Sequence, residues 1–184
     1  MSVDGTDFKI NTPSPASTKW FSFKIRHAGL RYEVGLNIQT GDIVWSNGPF
    51  PAGEWTDIRI FLSDLASKLK QGEKVEADLG YRGWEDKVED PTICIPNTEE
   101  MVEMKAMVRA RHEMVNARLK TFCALRNSWR HDRSHHGLAF RCIVMMVQLT
   151  FESGYALPKV SYMTPKTLRE VPEEEVSAED DEQS

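Results

Sequence analysis

Residues 30–38 (LRYEVGLNI) place Leu30, Tyr32, Val34, Leu36 and Ile38 at every second position. An extended strand with one buried face satisfies this pattern, because successive side chains point to opposite sides of a sheet. "QTGD" follows at 39–42, with Gly41 free to take a positive φ, and residues 43–47 read as the returning antiparallel strand. The early part of the chain is thereby committed to a sheet.

The rest of the pattern adds further strands and helices. Residues 2–10 read as a strand with Val3, Phe8 and Ile10 apolar, and 11–28, with Pro13 and Pro15, as a loop. "GPFPAGEW" breaks the strand pattern before a helix at 56–70 that buries Ile58, Phe61, Leu62, Leu65 and Leu69. Strands are expected at 73–78 and 92–95. A long helix is expected from Asn97, where Asn97 and Glu100 form a variant capping box. Its apolar stripe runs Met101, Met104, Val108, Val115, Leu119 and Phe122, and a last helix spans 135–153. At 184 residues the chain suits one α/β domain with a real core. The expected domain covers 1–160.

Three carboxylates stand in telling contexts: Asp4 in "SVDGTDF", Asp78 in "EKVEADLGYRG" and Glu113 in "RARHEMVNARLK". The first two lie at ends of strand-like runs and the third within the long helix. Such a trio suits two-metal phosphoryl transfer, in which cations about 3.5–4 Å apart clamp the attacking and leaving oxygens. With 28 acidic residues many triples exist, so context decides. Asp7, three residues from Asp4, points to the opposite strand face and reads as a solvent-facing or turn-capping acid. Asp57 reads as a first-turn helix residue favoured by the helix dipole. Glu113 lies about 140° from the middle of the apolar stripe. Small residues at Ala106, Ala110, Ala117 and Ala124 give the helix a second face, leaving Arg109, Glu113, Asn116 and Lys120 as a polar seam.

Those contexts carry a resemblance. "VDGTDFKI", "GLRYEVGLNIQTGDIVWSNGPFPAGEWTDIRIF", "GEKVEADLGYRG", "RARHEMVNARLK" and "WRHDRSHHGLAFRCIVMMVQL" together resemble the DDE domain of PIF/Harbinger-like transposases. They are most like the DDE superfamily endonuclease domains of oomycete and algal genomes. The likeness covers roughly 1–155 in the family's order. It implies that Asp4, Asp78 and Glu113 are the DDE residues, which bind Mg²⁺ or Mn²⁺ and catalyse DNA strand cleavage and transfer. Leu79 departs from the family, which commonly has a small or acidic residue after the second Asp. The element order is that of an RNase H-like mixed sheet flanked by helices, in which the first strand is central. Asp4 and Asp78 are then expected on adjacent parallel strands.

Charge is unevenly spread. Residues 170–184 hold eight acids and no base, which leaves 20 acids against the 23 Lys and Arg, a net +3 for residues 1–169. The stretch 161–184 is expected to be a disordered acidic tail, too poor in apolar residues to offset ordering entropy. Arg109, Arg111, Arg118, Lys120, Arg126, Arg130 and Arg133 make 109–133 the most basic segment, a candidate phosphate-contacting surface for DNA. His112 beside the proposed ligand could contact phosphate or could be a buried helix histidine. His131, His135 and His136 lack a neighbouring Cys pair with zinc-finger spacing, and the glycines match no nucleotide-binding fingerprint. Three cysteines without paired spacing, no signal-peptide pattern and no apolar run beyond "CIVMMV" point to an intracellular, soluble protein, nuclear or cytoplasmic, not associated with membranes.

The resemblance leaves three readings. The first is an active metal-dependent nuclease or transposase domain, with oligomers allowed. The second is a catalytically inactive remnant that binds DNA or protein; Met1 stands three residues before Asp4, where the family usually carries a helix-turn-helix part. That module would then be lacking or supplied by a separate DNA-binding partner. The third is a nuclease for RNA or repair intermediates.

Overall fold

The computed structural model describes residues 1–70, 72–81, 93–94 and 102–160. The Asn97–Glu100 capping box, Met101 and the 161–184 tail lie outside them. The described chain is a mixed α/β structure. Strand β1 (Ser2–Lys9) is flanked by β3 (His27–Leu36) on one side and β5 (Val75–Glu76) on the other, and β6 (Ile93–Cys94) continues beyond β5. β4 (Ile43–Pro51) and the short β2 (Phe21–Ser22) both pair with β3.

β1 and β3 pair antiparallel along their full length, from Ser2 opposite Leu36 to Lys9 opposite Gly29. The β3–β4 hairpin turns as the sequence predicts: Gly41 has φ +82°, and the Asn37 side chain accepts from the Gln39 and Thr40 amides at 2.8 and 3.1 Å. β4 runs further than expected, through the "GPFP" stretch to Pro51, with register shifts against β3. Pairing only with β3 makes it an edge strand, the place where proline's missing N–H costs no ladder bond. The pairings of β1 with β5 and of β5 with β6 are parallel.

Period-2 alternation on β1 divides the core. Phe8 and Ile10 join Leu30, Tyr32, Val34 and Leu36 of β3 under α3 (Val102–Leu119) and α5 (His136–Thr150), which contribute Val115, Leu119, Phe140 and Ile143. Val3 faces the other way, into a smaller cluster with Phe61 and Leu65 from α1 (Asp57–Ser63) and α2 (Leu65–Lys68), joined by Val75, Ala77 and Tyr81. The single helix expected over 56–70 is thus broken at Asp64, whose φ/ψ of −145°/−62° is not helical. Ser63 and Ser67 hydroxyls bond to the Ile60 and Asp64 carbonyls there, the local competition that makes serine a poor helix-interior residue. Full burial falls on Ile60 rather than Ile58.

α3 stops at Leu119, short of the expected Phe122, because the Thr121 and Phe122 amides tighten onto the Arg118 and Leu119 carbonyls. Phe122 still packs against the core before the short α4 (Cys123–Arg126). Among the described residues no helix is long and apolar enough to cross a membrane.

Candidate active site

The parallel register opposes Ser2 to Glu76. Counting on by two places Asp4 beside Asp78, just past the last β5 residue, on the face that α3 covers. Ser2, Asp4, Glu76 and Asp78 line one cavity, of about 60 Å³, with Val108, Arg109, His112 and Glu113 of α3. That is room for a few waters or a hydrated ion. The three sequence-predicted acids therefore border the same space from β1, from the turn after β5 and from α3. Glu113 is exposed. Among the described residues no group of three His, Cys, Asp or Glu side chains is drawn together closely enough to hold a metal ion.

Burial pushes the Asp4 carboxyl up to about 6; the Lys24 ammonium opposes that shift, while the neighbouring Asp57 and Asp78 charges add to it. Such a crowded carboxylate would be relieved by a cation. Aspartate and glutamate oxygens are hard donors of the kind that Mg²⁺ and Mn²⁺ take. The donor chemistry fits these ions.

Asp57 and Lys24 stand against Asp4 without lining the cavity, and sequence reasoning missed both contacts. Asp57 is the first residue of α1, capped by Thr56, as its position predicts. Yet it is 6% exposed and turned into the protein rather than toward solvent. It reaches β1 because residue 5 has no side chain: a Cβ on Gly5 would sit 2.0 Å from Asp57 Oδ1. A Cβ on Gly80 would meet Asp57 Oδ2 and Asp78 Oδ1 at 3.0 Å each, so these two carboxylates flank the same glycine. Lys24 Nζ donates to the Gly5 carbonyl at 2.9 Å and to Asp57 Oδ2 at 3.3 Å, and stands 4.0 Å from Asp4 Oδ1. Burial works against the charge on Lys24, but Asp57 and Asp4 outweigh it and hold the ammonium above its usual pKa. No motif in "WFSFKIRHAG" announces this lysine.

Asp7 corrects the sequence reading. It is buried, not solvent-facing or capping, and is held by Arg31 and by the Ser22 hydroxyl, which donates to Oδ2. The opposite-face argument explains why it stays out of the cavity: Asp7 pairs across the strands with Arg31 on the α1 side. His112 is a buried, neutral helix histidine. Its Nε2 bonds Ser2 Oγ at 2.9 Å, and burial pulls its pKa down to about 4 against the opposing pull of Asp78.

The basic segment divides. Arg109 is exposed beside the cavity. Arg111 does not belong to a phosphate-binding surface: it is 2% exposed, and its guanidinium donates to the Pro158, Ile38 and Gln39 carbonyls. The reason is helical spacing, since Arg111, Val108 and Val115 share the inward face of α3. Arg118 donates to the Tyr155 carbonyl and lies over Phe151, 4.8 Å from the ring centre, and Lys120 stands 5.7 Å from the Phe8 ring centre. Arg126 and Arg130 are exposed and line a wide cleft of about 890 Å³ with Lys9, His27 and His131. His136 leaves the histidine cluster altogether, buried with its Nδ1 2.6 Å from the Tyr32 hydroxyl.

No curated protein and no solved structure matches the chain. The family model of the DDE superfamily endonucleases matches residues 3–148, a span that holds Asp4, Asp78, Glu113 and the strands and helices that carry them. The chain belongs to the DDE superfamily endonuclease family.

Proposed function

We propose that the chain is a divalent-metal-dependent endonuclease domain acting on DNA phosphodiester bonds, built on an RNase H-like sheet. One observation carries the reading: the parallel pairing of β1 with β5 sets Asp4 beside Asp78 on the face covered by α3, where Glu113 borders the same cavity. The order β4-β3-β1-β5-β6, antiparallel on one side of β1 and parallel on the other, supports the fold assignment.

Asp4, Asp78 and Glu113 would hold Mg²⁺ or Mn²⁺, which when bound supplies Lewis-acid stabilisation of the phosphoryl oxygens and a nucleophilic water. Asp4, with its carboxyl at about 6, is mostly ionised at pH 7.5 and ready to donate to a cation. Arg109 places an exposed guanidinium at the cavity, suited to a bidentate grip on a backbone phosphate. Neutral His112 fixes Ser2 and fills the wall behind the acids without adding a competing positive charge.

The test is nicking of supercoiled plasmid in the presence of Mn²⁺. Nicking by the intact protein and its loss in Asp4→Ala, Asp78→Asn and Glu113→Ala is the expected result. Nicking that survives in Asp4→Ala or Asp78→Asn refutes the assignment. Retained duplex binding without any nicking would instead favour a remnant that binds but does not cleave.

A further inference from the structure

α5 is apolar on both of its faces. Phe140, Ile143, Val144 and Val147 point into the core. Leu138, Cys142, Met145 and Leu149 lie on the opposite side, within about 60° of one another at about 100° per residue. They stand in solvent: Leu138 is 57% exposed, Met145 66% and Leu149 58%, and Cys142 is an exposed free thiol. Met146, 43% exposed, widens the stripe. A helix that is apolar all round belongs in an interior, and a contiguous exposed apolar patch marks an interaction surface.

Spacing and charge say what covers it. The four residues follow one another at intervals of four, three and four, the apolar seam of a coiled coil. That series reads the same from either end, so an antiparallel copy of the helix offers an apolar partner at every position. With a two-fold axis between Ile143 and Val144, Leu138 meets Leu149 of the second copy and Cys142 meets Met145. The exposed bases Arg133 and His135 precede the seam and the exposed acid Glu152 follows it. Antiparallel pairing brings these opposite charges together, whereas parallel pairing would set like against like. Such self-complementarity is what a closed, two-fold contact requires. We propose that this seam is the contact face of a homodimer, two copies of α5 packed antiparallel across a two-fold axis. From Leu138 to Leu149 the seam is about 17 Å long, which suits a reversible pair rather than an obligate one.

Sedimentation equilibrium over a micromolar concentration range tests this. The unaltered chain should pass from monomer to dimer as concentration rises, and no further. Met145→Lys sets a charge in the seam and should weaken association by about tenfold or more. Because Met145 is exposed, the variant should melt at the parent's temperature when both are dilute. A short bismaleimide should join two chains through Cys142, which lies within one turn of the axis. Cys142→Ser should abolish the linked band, and Cys123→Ser should leave it. A parent chain that stays monomeric throughout, or a dimer that forms equally well in Met145→Lys, overturns the proposal. Growth beyond two copies overturns it as well, since a contact that does not close on itself keeps adding chains. Neither metal nor DNA is needed, so the outcome is independent of the nuclease reading.

Discussion

Arg31 and Asp7 face each other across β3 and β1 and close a two-point ion pair, Nε to Oδ1 at 2.7 Å and Nη2 to Oδ2 at 2.9 Å. Asp7 has no exposed side-chain surface, and Arg31 only a tenth. The same guanidinium donates from Nη1 to the Trp55 carbonyl at 3.0 Å and stands 3.4 Å from Asp57 Oδ1. Arg31 thus ties the centre of the sheet to the start of α1 and holds in place the carboxylate that anchors Lys24. The bond pattern links an ordinary cross-strand pair to the geometry of the candidate site.

Removing one side of such a pair strands a buried charge. Arg31→Ala should cost about 3–5 kcal/mol in chemical denaturation. The double change Asp7→Leu with Arg31→Met, which removes both charges of the pair, should recover part of that loss, the remainder falling on Asp57 and the Trp55 carbonyl, which also lose the guanidinium. Equal destabilisation by the single and double changes would show that the pair matters through packing rather than charge.

Gly5 is held by proximity, not by backbone conformation. A methyl group there would collide with Asp57 Oδ1 at 2.0 Å and Cγ at 2.7 Å, and Asp57 is fixed by Arg31 and Lys24. Gly5→Ala should therefore lower stability by about 1–3 kcal/mol, the usual cost of overpacking. The penalty should shrink in an Asp57→Ala background, where nothing remains to collide. A penalty that is the same in both backgrounds would place the strain elsewhere.

What could be read from the residues, and what could not, follows the range of the interactions. Alternation over 30–38, the Gly41 turn and the helix stripe through Val108, Val115 and Leu119 are local signals with counterparts in the structure. The strand, however, is His27–Leu36 and is buried on both faces rather than one, because α1 covers the Arg31 and Glu33 side. Element order alone predicted that the strand of Asp4 would have a parallel neighbour ending near Asp78. Asp57 was legible as a first-turn residue, but its second role depends on a glycine 52 positions away. Arg111 looked like one more base in a basic run, because charge counting does not see which helix face turns inward. Asp7 and Arg31 are separated by 24 residues and meet only through the register of β1 on β3.

Glu33 gives the fold a measurable pH dependence. It is fully buried, accepting from Trp45 Nε1 at 2.8 Å and the Tyr81 hydroxyl at 3.2 Å. Burial pushes its carboxyl up to about 7, from 4.5 in an unfolded chain; the two hydrogen bonds oppose that shift, while Asp57 and Asp64 add to it. Between those values only the folded state holds the proton, so this group's contribution to stability falls as pH rises from 4.5 to 7 and is level beyond. The full loss is about 3 kcal/mol. Glu33→Gln, which can still accept from Trp45, should gain stability relative to the parent between about pH 4.5 and pH 8. Urea midpoints that change in parallel for the two proteins across that range would refute it.

The basic segment makes opposite predictions for its members. Arg126 and Arg130 are exposed along the wide cleft, free to meet duplex phosphates. Changing both to alanine should leave the melting temperature nearly unaltered and weaken non-specific duplex binding. The slope of log affinity against log salt should fall by about 0.9 for each phosphate that is no longer neutralised. Arg111→Ala should do the reverse, because its side chain is buried and donates to the carbonyls of Pro158, Ile38 and Gln39. Losing those bonds together with the packing of a buried guanidinium should cost about 1–3 kcal/mol and leave the salt slope where it was. Fluorescence anisotropy across a salt series separates the two outcomes. An Arg111→Ala protein that melts normally but shows a reduced slope would return Arg111 to the DNA surface and discredit this partition of the segment.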